Sequence, residues 1–213
     1  MRFNRTVVAA LLLILVLPLA AYGETATTKV TFILVNDIYQ MNEQVMTDGR
    51  ARGGFARLAA IVKAERAKGG HVVFAHAGDT LSPSLMSGFD RGAHIIALTN
   101  MIPPDIFVPG NHEFDFGTSV FLQRMSEARF PLFAANLRDA NGAPLPGFKD
   151  RAMLTFDGVR IGLTGATYDD TPRVSSAEDL KFAPTVVSVS EQIAALRREG
   201  ADFLVAVVHA DRR

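Results

Sequence analysis

Four apolar, strand-like runs of this sequence end in residues that can bind a metal ion: Asp37, Asp79, Asn111 and His209. Taken singly, an aspartate after a strand is most often a turn former or a helix cap, and an asparagine after a glycine tolerates an unusual backbone angle. Independent caps, however, would not fall at four strand ends. Because the carboxyl ends of strands line the ligand crevice of an open α/β sheet, this pattern predicts a metal site there.

The composition restricts both the kind of ion and the class of partner. The 213 residues contain no cysteine, so any metal must be held by carboxylate, imidazole or amide ligands, which suit hard or borderline divalent ions. Lysine plus arginine equal aspartate plus glutamate, at 22 each, so no basic excess indicates a nucleic-acid polymer as partner. A hydrophobic content of 48% is enough for one globular domain with its own core.

Residues 1–23 have the pattern of a secretory signal peptide. Two arginines precede an apolar run, and a proline and small residues then lead to a cleavage position before Glu24. An uncleaved membrane anchor is the rival interpretation, but the run is shorter than the roughly 20 residues that a bilayer span requires. We therefore expect a periplasmic or secreted protein whose domain, residues 24–213, has no stable membrane insertion after cleavage of the leader.

Apolar runs alternate with stretches of helical spacing along the rest of the chain. The alternation is typical of an α/β domain with mixed, largely parallel sheets flanked by helices. A β-hairpin is predicted around Asp157-Gly158, and it makes the sheet mixed. The last strand ends in His209, only four residues before Arg213. We therefore expect the fold to be incomplete at the C-terminus, as the N-terminal part of a longer protein. The predicted strands cover 29–35, 71–77, 105–110, 131–137 and 201–209, and the predicted helices cover 53–70, 93–101, 118–130 and 185–200.

Several motifs occur in the order of a known family: "NDIY", "AGDTLSPS", "GNHEFDFG", "AANL" and "VVHAD". On these motifs the chain resembles the calcineurin-like metallophosphoesterases and, within them, the secreted bacterial 5'-nucleotidase family. "GNHEFDFG" is the most specific of them, since it follows an apolar strand and lies downstream of a Gly-Asp pair. The resemblance implies stacked sheets flanked by helices, with two divalent ions at the strand ends. Manganese, zinc, cobalt, iron and magnesium all remain open as the metal.

The resemblance also implies a role for each metal-competent residue. Asp37 would bind one ion, and the Asp79 carboxylate would bridge both, because its two oxygens can span ions about 3.5–4 Å apart. Asn111 would offer its side-chain carbonyl to the second ion, and His209 an imidazole nitrogen. The ions would lower the pKa of a bound water and polarise the phosphoryl oxygens.

His112 and Asp115 would form the catalytic pair of such a hydrolase. His112 can stabilise developing charge or protonate the leaving oxygen, and Asp115, three residues on, can fix the orientation of the imidazole. Glu113 is interpreted as an ordinary acidic residue near a helix start. The implied reaction is the release of phosphate from a small phosphate ester, a nucleotide above all, by attack of a metal-bound hydroxide.

Two features depart from the family pattern. The family has Asp-x-His after the first strand, and here Tyr39 stands in place of that histidine. A neutral phenol, with a pKa of about 10, is a poor divalent ligand, so one metal position is weakened or built differently; His76 is a candidate replacement ligand. The Gly-His-x-His segment and the C-terminal domain that grips the nucleoside in full-length 5'-nucleotidases are also absent from this sequence.

Other functions compatible with the residues fall into three classes. Within the same superfamily, the rivals are a cyclic-nucleotide phosphodiesterase, a UDP-sugar hydrolase and a sulfur-oxidation hydrolase. A degenerate, non-catalytic binding module would explain Tyr39, but it has little use for the His112 and Asp115 pair. A structural or interaction protein would bind no metal at all. We also expect the isolated chain to fold poorly without its missing half, because a truncated sheet exposes an unpaired edge.

Overall fold

The computed structural model describes residues 27–177 and 179–211. The predicted leader, residues 1–23, lies outside the described residues. No helix within the described ranges is both long enough and apolar enough to cross a membrane.

Strands and helices alternate along the described residues, as the hydrophobic pattern predicts. The strands are β1 Val30–Val35, β2 Gln44–Val45, β3 Ala51–Arg52, β4 His71–His76, β5 Ile106–Phe107, β6 Leu132–Phe133, β7 Leu137–Arg138, β8 Phe148–Lys149, β9 Arg151–Phe156, β10 Val159–Ala166, β11 Lys181–Phe182 and β12 Phe203–Val208. The helices are α1 Phe55–Ala67, α2 Ser87–Asp90, α3 Ala93–Met101, α4 Thr118–Glu127, α5 Thr171–Val174 and α6 Thr185–Arg198, with a 3₁₀ turn at His112–Phe114.

A five-stranded parallel sheet in the order β1-β4-β5-β6-β8 forms one layer. Its inner strands β5 and β6 are buried on both faces, as parallel strands usually are. The register pairs Val35 of β1 with His76 of β4, and His76 with Phe107 of β5. Because neighbouring strands therefore end at nearly the same level, the residues that follow them meet at one edge of the sheet.

A second sheet, in the order β12-β10-β9, contains the predicted hairpin. β9 and β10 are antiparallel around the turn at Asp157-Gly158, which confirms the hairpin, but they form a sheet separate from the parallel one. β10 and β12 are parallel, with Ala166 opposite Val208. His209 follows directly, so this strand end lies beside the carboxyl ends of the first sheet.

The two sheets pack face to face through a core of small and branched side chains. Ala75, Ile106 and Phe133 of the first sheet contact Ile161 and Leu163 of the second within one buried cluster. A second cluster, rich in phenylalanine, packs α3 and α4 against the other side of the parallel sheet. The mixed α/β fold with flanked, largely parallel sheets is thus the one predicted from the sequence, and the stacking of its sheets holds the strand ends in place.

Candidate metal centre

A cavity of about 500 Å³ opens at the strand ends where the two sheets meet. Four of the residues singled out from the sequence line it together: Asp37, Asp79, Asn111 and His209. Backbone hydrogen bonds fix the loops that carry them, since the Asp37 N–H donates to the carbonyl of Gly78 at 3.0 Å. Strand register within each sheet, the stacking of the two sheets and these hydrogen bonds therefore bring together residues up to 172 positions apart, counting from Asp37 to His209.

Two of the aspartates have an unusual backbone conformation. Asp37 has a φ of 55° and Asp79 a φ of 58°, in the left-handed region that residues other than glycine, asparagine and aspartate rarely adopt. Such angles persist only where the surrounding structure imposes them, and they concentrate at functional sites. Here they turn both carboxylates out of the strand direction at the rim of the cavity.

His209 is oriented by a backbone carbonyl. Its Nδ1–H donates to the carbonyl oxygen of Ala77 at 2.6 Å, which leaves Nε2 at 3.2 Å from Oδ2 of Asp79. Burial alone would lower the pKa of His209, but the hydrogen bond and the negative charge of Asp79 outweigh it and raise the pKa to about 9. An imidazole whose outer nitrogen donates to a carbonyl is the usual arrangement of a histidine metal ligand.

The Asp79 carboxylate stays ionised despite its burial. Burial would raise its pKa, but the hydrogen bond and charge of His209, followed by the backbone N–H of His112, lower it below the usual value. That N–H donates to Oδ1 at 2.9 Å. Asp79 therefore contacts both the histidine at the end of β12 and the turn after β5.

The Tyr39 hydroxyl lies between the carboxylates of Asp37 and Asp79. It is 2.8 Å from Oδ1 of Asp37 and 3.3 Å from Oδ2 of Asp79. Burial, followed by these two carboxylates, raises the pKa of Tyr39 above its usual value, so the phenol is neutral and donates. The ring packs edge-on against His112, with the ring centroids 5.9 Å apart.

Glu113 has a role that the sequence did not indicate. Its carboxylate is completely buried and accepts four backbone N–H groups, from Asp79 at 2.8 Å, Thr80 at 2.7 Å, Leu81 at 3.1 Å and Gly110 at 2.5 Å. Burial and then the charge of Asp79 raise the pKa of Glu113, whereas these donors oppose that rise. The side chain therefore joins the loop after β4 to the loop after β5, which carry Asp79 and Asn111.

His112 and Asp115 form a hydrogen-bonded pair beside the cavity. His112 Nδ1 lies 2.7 Å from Oδ2 of Asp115, and the Ser175 hydroxyl donates to the other oxygen of Asp115 at 2.7 Å. Burial would lower the pKa of His112, but the hydrogen bond to Asp115 and the charge of Asp79 raise it above its usual value. Ser175 was not predicted, because nothing in its local sequence places it 60 positions away from its partner.

His76, the candidate replacement ligand, lies away from the cavity. The ring is completely buried and packs against Phe107, with the ring centroids 5.0 Å apart. Its Nδ1 accepts the N–H of Gly78 at 3.1 Å, and its Nε2 has no partner among the described residues. Burial, with the nearby His209, lowers the pKa of His76 to about 3, so the ring is neutral.

Asp79, Asn111 and His209 offer donor atoms of the types that divalent cations bind. Within the described ranges, no group of three or more His, Cys, Asp or Glu side chains is arranged so that it could hold a metal ion. Asp79 and His209 are adjacent, however, and the Asn111 amide lines the same cavity. A Cβ at Gly110 would overlap Oδ1 of Asp79 and lie 2.7 Å from Cε1 of His209, so the backbone packs closely under both ligands. Two nitrogen or carbonyl donors and one carboxylate suit a borderline divalent ion.

The side chains do not fit a second cation in the same way. Asp37 accepts the Tyr39 hydroxyl on Oδ1 and the side-chain amide of Asn36 on Oδ2. Each of its oxygens thus accepts one hydrogen bond, and the Tyr39 hydroxyl lies between Asp37 and Asp79.

A sequence profile described as "Calcineurin-like phosphoesterase" matches residues 30–213. The snake venom 5'-nucleotidase of Crotalus adamanteus is 28% identical over 197 residues, which cover 85% of this chain and 33% of that protein. The chain spans about a third of the length of the curated relatives that it matches.

Solved structures show the same fold. The 5'-nucleotidase precursor from Thermus thermophilus superposes with a TM-score of 0.76 at 26% identity, covering 85% of this chain and 37% of that one. The sulfate thiohydrolase of Thermus thermophilus superposes with a TM-score of 0.74 at 18% identity, over 89% of this chain and 45% of that one. At that lower identity the likeness concerns the fold alone.

Proposed function

Because the chain belongs to the calcineurin-like phosphoesterase family and is a hydrolase, we propose that it releases phosphate from nucleotides at a divalent-metal centre. The observation that carries this proposal is the cavity lined by Asp37, Asp79, Asn111 and His209, with the His112 and Asp115 pair beside it. The family is divalent-metal dependent, and the 5'-nucleotidases among the relatives favour a nucleotide as the ester.

Asp79, Asn111 and His209 would hold the cation. Asp79 contributes a carboxylate that stays ionised, and His209 presents Nε2 because its Nδ1–H is held by Ala77. A bound divalent ion supplies Lewis acidity, which lowers the pKa of water and polarises phosphoryl oxygens. Glu113 would not contact the cation. It would position the two loops on which Asp79 and Asn111 lie.

His112 would deliver the proton that the leaving oxygen needs. Asp115 holds Nδ1 at 2.7 Å, and Ser175 in turn holds Asp115, so the ring has one orientation. Despite its burial, the hydrogen bond to Asp115 and the charge of Asp79 raise the pKa of His112, and a raised pKa favours the charged imidazolium. Nε2–H can then donate to the leaving alkoxide or stabilise charge on the phosphoryl group, which is where phosphoryl transfer gains most of its acceleration.

The surroundings leave room for more than a phosphate group. A second cavity of about 710 Å³ shares Tyr168, Val208, Ala210 and Asp211 with the first. The two cavities are therefore adjacent, and the larger one would receive the part of the ester beyond the phosphate. We further propose that residues 1–23 direct export of the domain over 24–213, in keeping with a venom enzyme among the relatives.

The test is an assay of phosphate release from AMP and from an aryl phosphate, with added manganese, cobalt, zinc or magnesium. We expect metal-dependent turnover, a loss of about 10²–10⁴-fold in kcat for His112→Ala, and no detectable turnover for Asp79→Ala. His71→Ala is the matched control, because His71 pairs with Asp157 on the surface, away from the cavity. Turnover that survives a chelator, or that is unaffected in His112→Ala, would contradict the proposal.

A further inference from the structure

Two carboxylates that face each other at a strand-end site need positive charge or a proton between them. Asp37 and Asp79 approach this situation, and the atom between them belongs to Tyr39, whose hydroxyl is 2.8 Å from the first and 3.3 Å from the second. Like charges at such range disfavour each other, whereas a shared O–H hydrogen bond offsets the repulsion. The Tyr39 hydroxyl thus offsets the repulsion between the two carboxylates, as a bound cation would otherwise do.

Each oxygen of the Asp37 carboxylate already accepts one hydrogen bond. Its Oδ1 accepts the Tyr39 hydroxyl and its Oδ2 accepts the side-chain amide of Asn36. Asp79, in contrast, keeps Oδ2 beside Nε2 of His209, at 3.2 Å, and lines the cavity with Asn111. Asp37 therefore accepts hydrogen bonds from Tyr39 and Asn36. Asp79, His209 and Asn111, in contrast, present ligand atoms at the cavity.

The position and the length of the Tyr39 side chain also favour a single ion. The ring is held edge-on against His112, so it is not free to swing away from the carboxylates without losing that contact. A phenol is also longer than an imidazole. Its oxygen therefore reaches further from the backbone than a histidine nitrogen at position 39 would, and it lies within hydrogen-bond distance of both carboxylates.

We propose that Tyr39 takes the place of one metal ion, so that this chain binds a single divalent cation at Asp79, Asn111 and His209. The inference rests on the proposed function, because it assumes that the centre binds metal. It goes beyond that function by stating how many ions bind and which residues hold the ion.

The experiment is a count of bound ions per chain. The purified chain, Tyr39→His and Tyr39→Phe are equilibrated with manganese or zinc, freed of excess by gel filtration, and analysed by mass spectrometry of the metal against protein concentration. We expect one ion for the wild type, two for Tyr39→His, and one for Tyr39→Phe. The phenylalanine variant is the matched control, because it keeps the ring but supplies no ligand atom. Circular dichroism establishes that all three proteins are folded.

Three other ion counts would overturn the inference. Two ions in the wild type would overturn the inference and leave the proposed function standing. An accompanying change in tyrosine absorbance, which no tryptophan obscures in this chain, would then identify Tyr39 as a ligand. One ion in Tyr39→His would also overturn it, because the tyrosine would not be what excludes the second ion. No ion in any of the three proteins would overturn both the inference and the proposed metal dependence.

Discussion

At the scale of single residues, His209 couples proton binding to the stability of the fold. Its Nδ1–H is held by the Ala77 carbonyl and its Nε2 lies beside the Asp79 carboxylate, so the charged ring has partners on both sides. The pKa rises from 6.5 to about 9 in the folded protein. Protonation of His209 therefore stabilises the metal-free fold.

This shift predicts how the stability of the metal-free protein depends on pH. The contribution of His209 is fully present below pH 6.5, its ordinary pKa, and is lost as the pH rises through about 9. We expect the melting temperature of the metal-free chain to fall over this interval, measured by differential scanning calorimetry. His209→Gln should show a smaller fall, and His112, whose pKa is also raised, accounts for what remains. A melting temperature that stays constant in the wild type would contradict the prediction.

At the same scale, the sequence predicts where the strand-end residues lie but not how Glu113 acts. Asp37, Asp79, Asn111 and His209 line one cavity because each follows a strand, and strand ends meet at one edge of a sheet. Their roles as metal ligands stay predictions. Glu113 was interpreted as an ordinary acid at a helix start. No local signal marks it, because its four donors lie on loops up to 34 positions away.

At the scale of elements, the 3₁₀ turn His112–Phe114 connects two strand-end loops. Glu113 inserts into the core from this turn and accepts N–H groups from the loop after β4 and from Gly110 after β5. Without the carboxylate these four backbone donors would have no acceptor from Glu113, and an unsatisfied buried donor destabilises the fold. The turn thus sets the separation of Asp79 and Asn111.

We expect Glu113→Gln to weaken metal binding while the chain still folds. The NH2 group of the glutamine amide donates hydrogen bonds and cannot accept them from the backbone N–H groups that the replaced carboxylate oxygen accepts. The two loops should therefore separate slightly. The free energy of unfolding should fall by about 1–3 kcal/mol, measured by urea denaturation, and the dissociation constant for manganese should rise at least tenfold, measured by calorimetry. Glu191→Gln, on the exposed surface of α6, is the control for the same chemical change.

An unchanged manganese affinity in Glu113→Gln would show that the loops are held by other contacts. A result in which both Glu113→Gln and Glu191→Gln lose affinity would point to net charge instead of loop position.

The hydrophobic pattern predicted the long elements and not the way they group. Runs such as 29–35 and 71–77 appear as β1 and β4, and the Asp157-Gly158 turn joins β9 to β10. The pattern could not show that β9 and β10 leave the parallel sheet, because sheet membership depends on which faces pack together. The short pair β2 and β3 was also missed, since two-residue strands have no periodicity to detect.

At the scale of the whole molecule, apolar side chains stand on the outer strands of both sheets. Leu34 on β1 is 64% exposed and Phe203 on β12 is 63% exposed. Each strand is the last of its sheet among the described residues, so its backbone donors and acceptors have no strand partner on that side. An apolar edge of this kind favours association with another chain.

We expect the purified chain to self-associate at micromolar concentration, with Phe203→Lys reducing the association. The lysine places a charge on the outer strand, where it opposes strand pairing. Ile61→Lys is the control, because Ile61 is also exposed, at 56%, but lies on α1 and not on a strand edge. Sedimentation velocity over a concentration series measures the effect. A wild-type chain that sediments as a single monomeric species throughout would contradict the prediction.

The left-handed backbone at Asp37 and Asp79 has a consequence for how this protein would change under laboratory evolution. Both positions have angles at which glycine is less strained than aspartate. Asp37 is also exposed, so its replacement disturbs little of the core. A library sorted only for thermal resistance would therefore drift toward glycine at position 37, whereas a library sorted for turnover would keep Asp79, which would hold the cation. Glycine at position 37 in the heat-tolerant survivors, together with aspartate at position 79 in the active ones, would separate what the fold needs from what the site does.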